Sequence, residues 1–280
     1  MRASAHGRPF EPFFLPASRG ERFCIFHPAA GAARGSVLYL HSFAEEMNKS
    51  RRMAALQSRA LAARGFAVLQ IDLFGCGDSS GEFADASWEI WRQDVVLGVQ
   101  WLRQRACGDI TLWGLRLGAL LALDATRDCD PAPSGYVLWQ PVLNGEALLT
   151  QFLRLRLASE MLSEGRSKTG VQALRATLGS GAALEIAGYD LTRQLAAALD
   201  GLKLADLEPA GKVVHWFELV PEAGRALPPA AQRVVDSWVR RGVRIDVQCV
   251  AGQPFWNTVE ITECPALIAA TTQVLAEGMQ

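Results

Sequence analysis

No stretch of this 280-residue chain approaches the roughly 20 uninterrupted apolar residues of a membrane helix, so no membrane span is expected. Histidine is scarce. The four residues stand at 6, 27, 41 and 215, and the chain beyond position 215 has no imidazole for base or metal chemistry. There is no basic run, and the net charge is −1, which argues against a nucleic-acid partner. The six cysteines (24, 76, 107, 129, 249 and 264) form no CxxC pair and no metal-ligand spacing. They read as reduced, mostly buried thiols of a cytoplasmic protein, and no metal or cofactor is implied. Met1 to Pro9 carries Arg2, His6 and Arg8 but no apolar core, so no secretory signal is expected. Internal repeats and low-complexity linkers are absent.

What is present is apolar sequence, half of all residues, in alternating short blocks. That suits one large α/β domain, or one domain with an insertion. Strands are expected at Phe23–Phe26, Ser36–His41, Phe66–Leu73, Ile110–Trp113, Gly135–Gln140, Val213–Leu219 and Val243–Val250. Helical periodicity marks Lys49–Arg64, Trp88–Arg105, a stretch running to about Asp128, Pro229–Arg241 and Pro265–Glu277. Continuous apolar strands alternating with helices predict a mostly parallel sheet covered on both faces. Residues 144–207 break the rhythm. They carry helical patterns only, punctuated by Gly165, Gly170, Gly179, Gly181 and Gly188, and read as a helical cap or lid inserted in a core of 1–143 and 208–280.

The most informative stretch is Gly114-Leu115-Arg116-Leu117-Gly118, a tight turn between a strand and a helix. It has the Gly-x-Ser-x-Gly form of a nucleophile elbow, with glycines where backbone and side chains crowd. Its central residue is Arg116. A guanidinium stays protonated at any ordinary pH and cannot attack a carbonyl. Three other segments fit an α/β-hydrolase fold in order. Ser42-Phe43 follows the strand that ends at His41, where such enzymes place their first oxyanion amide. Asp72 to Gly81 has the form D-x-x-G-x-G-x-S. The insertion follows the strand after the elbow. On this fold the triad runs Ser, acid, His. Glu218 or Glu222 stands where the acid is expected, at the end of strand Val213–Leu219. The following loop, Ala251-Gly252-Gln253-Pro254-Phe255-Trp256-Asn257, contains no histidine.

The segment His41 to Met53 (HSFAEEMNKSRRM), the GLRLG turn and Pro254-Phe255-Trp256 resemble the family called exosortase A system-associated hydrolase 2. The resemblance covers nearly the whole chain, and HSFAEEMNKSRRM is its most specific part. It implies the α/β-hydrolase fold and a gene context of exopolysaccharide production and protein sorting in Gram-negative bacteria. It implies no defined substrate.

Each candidate residue has a functional and a structural reading. Arg116, above a helix N-terminus, suits a carboxylate or phosphate ligand, or it pairs internally with Glu45, Glu46, Glu218 or Glu222. His41, Ser42, Phe43, Leu117 and Trp256 are candidate pocket residues. His41 equally suits a hydrogen-bonded strand end. Phe255 and Trp256 suit packing, or a platform for sugar or lipid. Asp72, Gly75, Gly77 and Asp78 shape a turn. Ser79, Ser80 and Cys76 are weak nucleophile candidates, because no base accompanies them. Three functions stay open: a catalytically silent hydrolase homologue binding an anionic, acyl or glycan ligand; an active hydrolase or acyltransferase of unrecognised mechanism; and a partner-binding scaffold. Oligomeric state is not legible.

Overall fold

The computed structural model describes residues 10–106, 108–164, 170–209 and 212–277. Met1 to Pro9, Cys107 and Gly165 lie outside them. The strands are β1 (Glu11–Pro16), β2 (Glu21–His27), β3 (Gly35–Leu40), β4 (Phe66–Ile71), β5 (Ile110–Leu115), β6 (Gly135–Trp139), β7 (Leu184–Ile186), β8 (Tyr189–Leu191), β9 (Val213–Val220) and β10 (Arg244–Ala251). The helices are α1 (Glu45–Ala63), α2 (Trp88–Arg105), α3 (Leu117–Ala125), α4 (Gly145–Glu164), α5 (Val171–Gly179), α6 (Arg193–Asp200), α7 (Pro229–Arg240) and α8 (Pro265–Glu277).

Eight strands form one sheet in the order β1-β2-β4-β3-β5-β6-β9-β10. The pairings β1/β2 and β2/β4 are antiparallel, and the rest are parallel. The central strand β3 is buried at all six positions, as a parallel strand covered on both faces must be. Two apolar clusters lie on the two sides of the sheet. One is centred on α2, α3 and Trp216, the other on Tyr39, Trp113, Trp139, α1 and α8. The α/β-hydrolase architecture expected from the sequence is the one observed.

Two details depart from the sequence reading. The segment before β2 holds an additional strand, β1, whose two prolines disguise it; at a sheet edge a missing N–H costs no ladder bond. The excursion between β6 and β9 is not purely helical. It contains the β7–β8 hairpin, turned at Ala187 (φ 52°) and Gly188 (φ 85°). Positive φ at both central residues is the turn that matches strand twist. The excursion packs onto the rest through Phe152 against Phe43 (5.0 Å between ring centroids) and Tyr189 against Phe83 (5.0 Å).

One buried ion pair fastens the antiparallel end. Arg22 Nε donates to Asp94 Oδ1 at 2.7 Å, with both side chains at most 2% exposed. Asp94 also accepts from the Phe74 amide at 2.8 Å. Burying two charges is tolerable only when they are paired and hydrogen-bonded in this way.

Candidate functional site

The site sits where β3, β5 and β9 end. Strand β5 turns into α3 through Arg116, whose φ of 56° and ψ of −113° lie where a non-glycine residue is strained. The flanking glycines are imposed by crowding. A Cβ on Gly114 would lie 2.4 Å from the Gly118 carbonyl oxygen, and one on Gly118 would lie 2.2 Å from that of Leu40. The turn is tied to β6 by the Arg116 amide, which donates to the Trp139 carbonyl at 3.0 Å. The backbone is thus a sharp strand-to-helix elbow that projects the Arg116 side chain over the sheet.

Four glutamates were candidates to neutralise that arginine, and the structure selects Glu46. Arg116 Nη2 donates to Glu46 Oε1 at 3.1 Å, and Nε reaches the same carboxylate at 3.3 and 3.4 Å. Their side chains are 13% and 9% exposed. The Arg116 guanidinium also lies over the Trp256 ring, 5.2 Å from its centroid, in cation–π contact. Trp256 ends an aromatic chain through the core: Trp113 to Trp139 at 4.7 Å, Trp139 to Phe255 at 6.1 Å, Phe255 to Trp256 at 5.1 Å. Phe255 is fully buried and packs.

Glu46 reaches the elbow because α1 starts at Glu45, four residues earlier than the sequence periodicity suggests. Both acids stand in the first turn, near the positive end of the helix dipole. Burial raises the Glu46 carboxyl above the ordinary carboxylate range, opposed by Arg116 and Lys49. Burial raises Glu45 as well. One Glu45 oxygen, Oε2, is buried without a hydrogen-bond partner.

Glu218, at the end of β9, is buried, but its oxygens are already used. Oε1 accepts from Gln140 Nε2 and Oε2 from Trp216 Nε1, each at 2.9 Å. Burial raises its carboxyl. Gln140 also accepts the Leu219 amide at 2.6 Å, so it fixes both the acid and its strand end. Sequence reasoning missed this residue. Its only signal is a polar side chain closing the apolar run Gly135–Gln140, and its φ of 43° is not visible in sequence. Glu222 stands apart, exposed, 3.5 Å from Arg225.

His41, Ser42, Phe43 and Leu117 line one cavity of about 10 Å³ with Cys76, Trp88 and Trp91. That is room for about one water. His41 is saturated. Its Nε2 accepts from the Leu73 amide at 3.2 Å, which leaves the proton on Nδ1 to donate to the Ser42 carbonyl at 2.7 Å. Burial lowers its pKa further. Ser42 Oγ is buried without a partner. A second cavity, of about 20 Å³, lies between Glu45, Glu46, Phe152, Leu155 and Asn257.

The loop after β4 is structural. Arg51 grips Asp72 at 2.8 and 3.2 Å, and Asp72 also accepts the Asp78 amide. A Cβ on Gly77 would lie 2.0 Å from the Asp72 carboxylate. Ser79 donates to the Asp72 carbonyl and accepts from the Phe23 amide; Ser80 accepts from the Glu21 amide. Burial pushes the Cys76 thiol far up, which removes thiolate character. Among the described residues, no three His, Cys, Asp or Glu side chains converge as metal ligands. No helix of the described residues is long and apolar enough to cross a membrane.

Sheet order, elbow and the excursion after β6 together define an α/β-hydrolase-fold protein. The family model described as Hydrolase_4, serine aminopeptidase, S33, matches residues 31–188, and the chain belongs to that family. Similar solved structures include Est1E from Butyrivibrio proteoclasticus with bound ferulic acid. It is 15% identical, with 95% of this chain and 97% of that chain covered, at a TM-score of 0.67. A highly thermostable carboxyl esterase from Bacillus coagulans, in complex with glycerol, is 13% identical over 96% of this chain and 97% of its own, at 0.64. Proline iminopeptidase from Mycobacterium smegmatis is 14% identical over 96% and 99%, at 0.61. At such identities the likeness is one of fold. Protein ABHD12B of Homo sapiens is 29% identical over 111 residues, which span 39% of this chain and 29% of that protein's length.

Proposed function

We propose that this chain is a hydrolase-fold protein that forms no acyl-enzyme and works by non-covalent binding of an anionic, acyl or glycan-type group at the elbow mouth. The observation that carries this reading is Arg116 itself. The residue holds the strained backbone of a nucleophile, yet its side chain is a permanent cation paired with Glu46 and covered by Trp256. The loop after β10 supplies Trp256 where a histidine base is expected, and His41 has both ring nitrogens engaged. Glu218 is left as an acid with no imidazole to orient. The resemblance to the exosortase-associated family supports a cytoplasmic role in exopolysaccharide production or protein sorting. A fluorophosphonate probe, which marks activated serines, tests the reading: no labelling is expected, and stoichiometric labelling overturns it.

A second reading, a partner-binding scaffold, draws on the small volume beside the elbow. Cavities of about 10 and 20 Å³ do not accommodate a metabolite as they stand. Small-carboxylate titrations of wild-type protein and of variants lacking the Glu46 charge separate the two readings, since a scaffold alone predicts no binding at the elbow in either.

A further inference from the structure

The Glu46–Arg116 pair is looser than two other carboxylate–arginine pairs of this protein. Its three contacts span 3.1 to 3.4 Å, whereas Arg22–Asp94 closes to 2.7 Å and Arg51–Asp72 to 2.8 Å. Charge-assisted bonds of this type normally close to about 2.7–2.9 Å. The carboxylate sits beside unfilled space. The cavity of about 20 Å³ is lined by Glu45 and Glu46, and the neighbouring Glu45 Oε2 is buried with no partner. On the cation side, Arg116 is held from behind by the elbow backbone and from above by Trp256, so it cannot easily follow a moving partner. The loose member of the pair is therefore the glutamate. It stands in the first turn of α1, where the helix dipole favours negative charge, and its carboxylate meets the side chain of Arg116, the residue that precedes α3.

We propose that Glu46 is an internal, displaceable occupant of an anion position built by Arg116 and the first turn of α1. It is an autoinhibitory contact that an exogenous monocarboxylate, or a carboxylate group of a larger ligand, replaces. The proposal rests on the non-acylating reading given above. In the closed form Glu46 neutralises Arg116. In the open form its side chain turns into the adjacent cavity, and the ligand's carboxylate takes the guanidinium fork. No covalent bond changes. Charge balance is kept because one carboxylate leaves the arginine as another arrives, with Lys49 available to Glu46 on its own helix.

Chemical rescue tests this directly. Glu46→Ala leaves Arg116 without its counterion and opens the anion position. Acetate and formate at matched ionic strength should raise the melting temperature of this variant by about 3 °C or more above chloride. The apparent Kd should be on the order of millimolar. The wild type, where Glu46 competes for the position, should show the same rise only at a higher acetate concentration. A wild type that never responds overturns displacement. Glu46→Ala combined with Arg116→Met should show no rise. A folded Glu46→Ala protein indifferent to acetate, or an equal response in the double variant, overturns the proposal. Should Glu46→Ala fail to fold, Glu46→Gln keeps the shape and removes the charge. The Arg116 Nε–H resonance then reports: a shift with acetate is expected, and invariance overturns the proposal. Fluorophosphonate labelling of the wild-type protein is read in parallel. Labelling would sink the non-acylating reading, whereas absent rescue without labelling sinks only the occupant.

Discussion

Glu46 and Arg116 meet across the mouth of the sheet, Oε1 to Nη2 at 3.1 Å, although 70 positions separate them in the chain. Each stands in or beside the first turn of a helix that follows a parallel strand, α1 after β3 and α3 after β5. Because β3 and β5 are neighbours in the sheet, the two turns face each other. Fold topology alone thus brings an acid to the position from which a hydrolase works.

Restoring the missing serine will not restore an esterase. Arg116→Ser removes the cation and strands Glu46, yet supplies no free imidazole as base, since both ring nitrogens of nearby His41 are engaged. We expect p-nitrophenyl butyrate hydrolysis by this variant at the buffer rate. Adding Trp256→His supplies a ring at a position that already touches residue 116. The double variant should stay well under the roughly 10⁶-fold acceleration at which enzyme catalysis typically starts. Strong activity in Arg116→Ser alone would reveal a base outside this account. Phe255 is the wrong place for the histidine, since it is fully buried among Trp139 and Trp256.

The elbow glycines should be intolerant for steric reasons independent of any chemistry. A methyl group on Gly118 meets the Leu40 carbonyl at 2.2 Å and that of His41 at 2.7 Å, and backbone of a central strand cannot yield. Gly118→Ala should destabilise by about 1–3 kcal/mol, read as a lower urea midpoint at constant slope. An unchanged midpoint would mean that α3 can slide away from β3.

His27 makes stability depend on pH. Burial, aided by Arg59, pushes its pKa down to about 4 from an ordinary 6.5. Between those values the unfolded chain binds a proton that the folded chain does not. Stability therefore falls as pH drops from about 6.5 to about 4, by at most about 3 kcal/mol. Asp94 works in the opposite sense. Burial lifts its carboxyl to about 6 from 3.8, so its contribution is complete below about 3.8 and is lost as pH rises through about 6. Comparing wild type with His27→Gln by urea unfolding at pH 4 to 7 isolates the histidine. The variant should lose less stability on acidification, and identical slopes would contradict the burial argument.

Most of the fold was legible because apolar periodicity reports burial directly. Helices Trp88–Arg105 and Pro265–Glu277 begin and end where their patterns do. The β7–β8 hairpin was not legible, since two three-residue strands are too short to show alternation. Strand β1 was masked by Pro12 and Pro16. At the site, Arg116 and the absence of a following histidine were plain in the sequence. The identity of the arginine's partner was not. Four glutamates were chemically equivalent, and only the early start of α1 places Glu46, rather than Glu218, on the guanidinium. Glu218 is withheld by Gln140 and Trp216, contacts that no spacing encodes.

The central claim is that the elbow of this hydrolase-fold chain forms no acyl-enzyme. Fluorophosphonate labelling followed by intact-protein mass measurement tests it most directly, with p-nitrophenyl acetate turnover read alongside. We predict an unmodified mass, and ester turnover that Arg116→Ala leaves unchanged. A single probe adduct on a serine, with burst kinetics, would contradict the account.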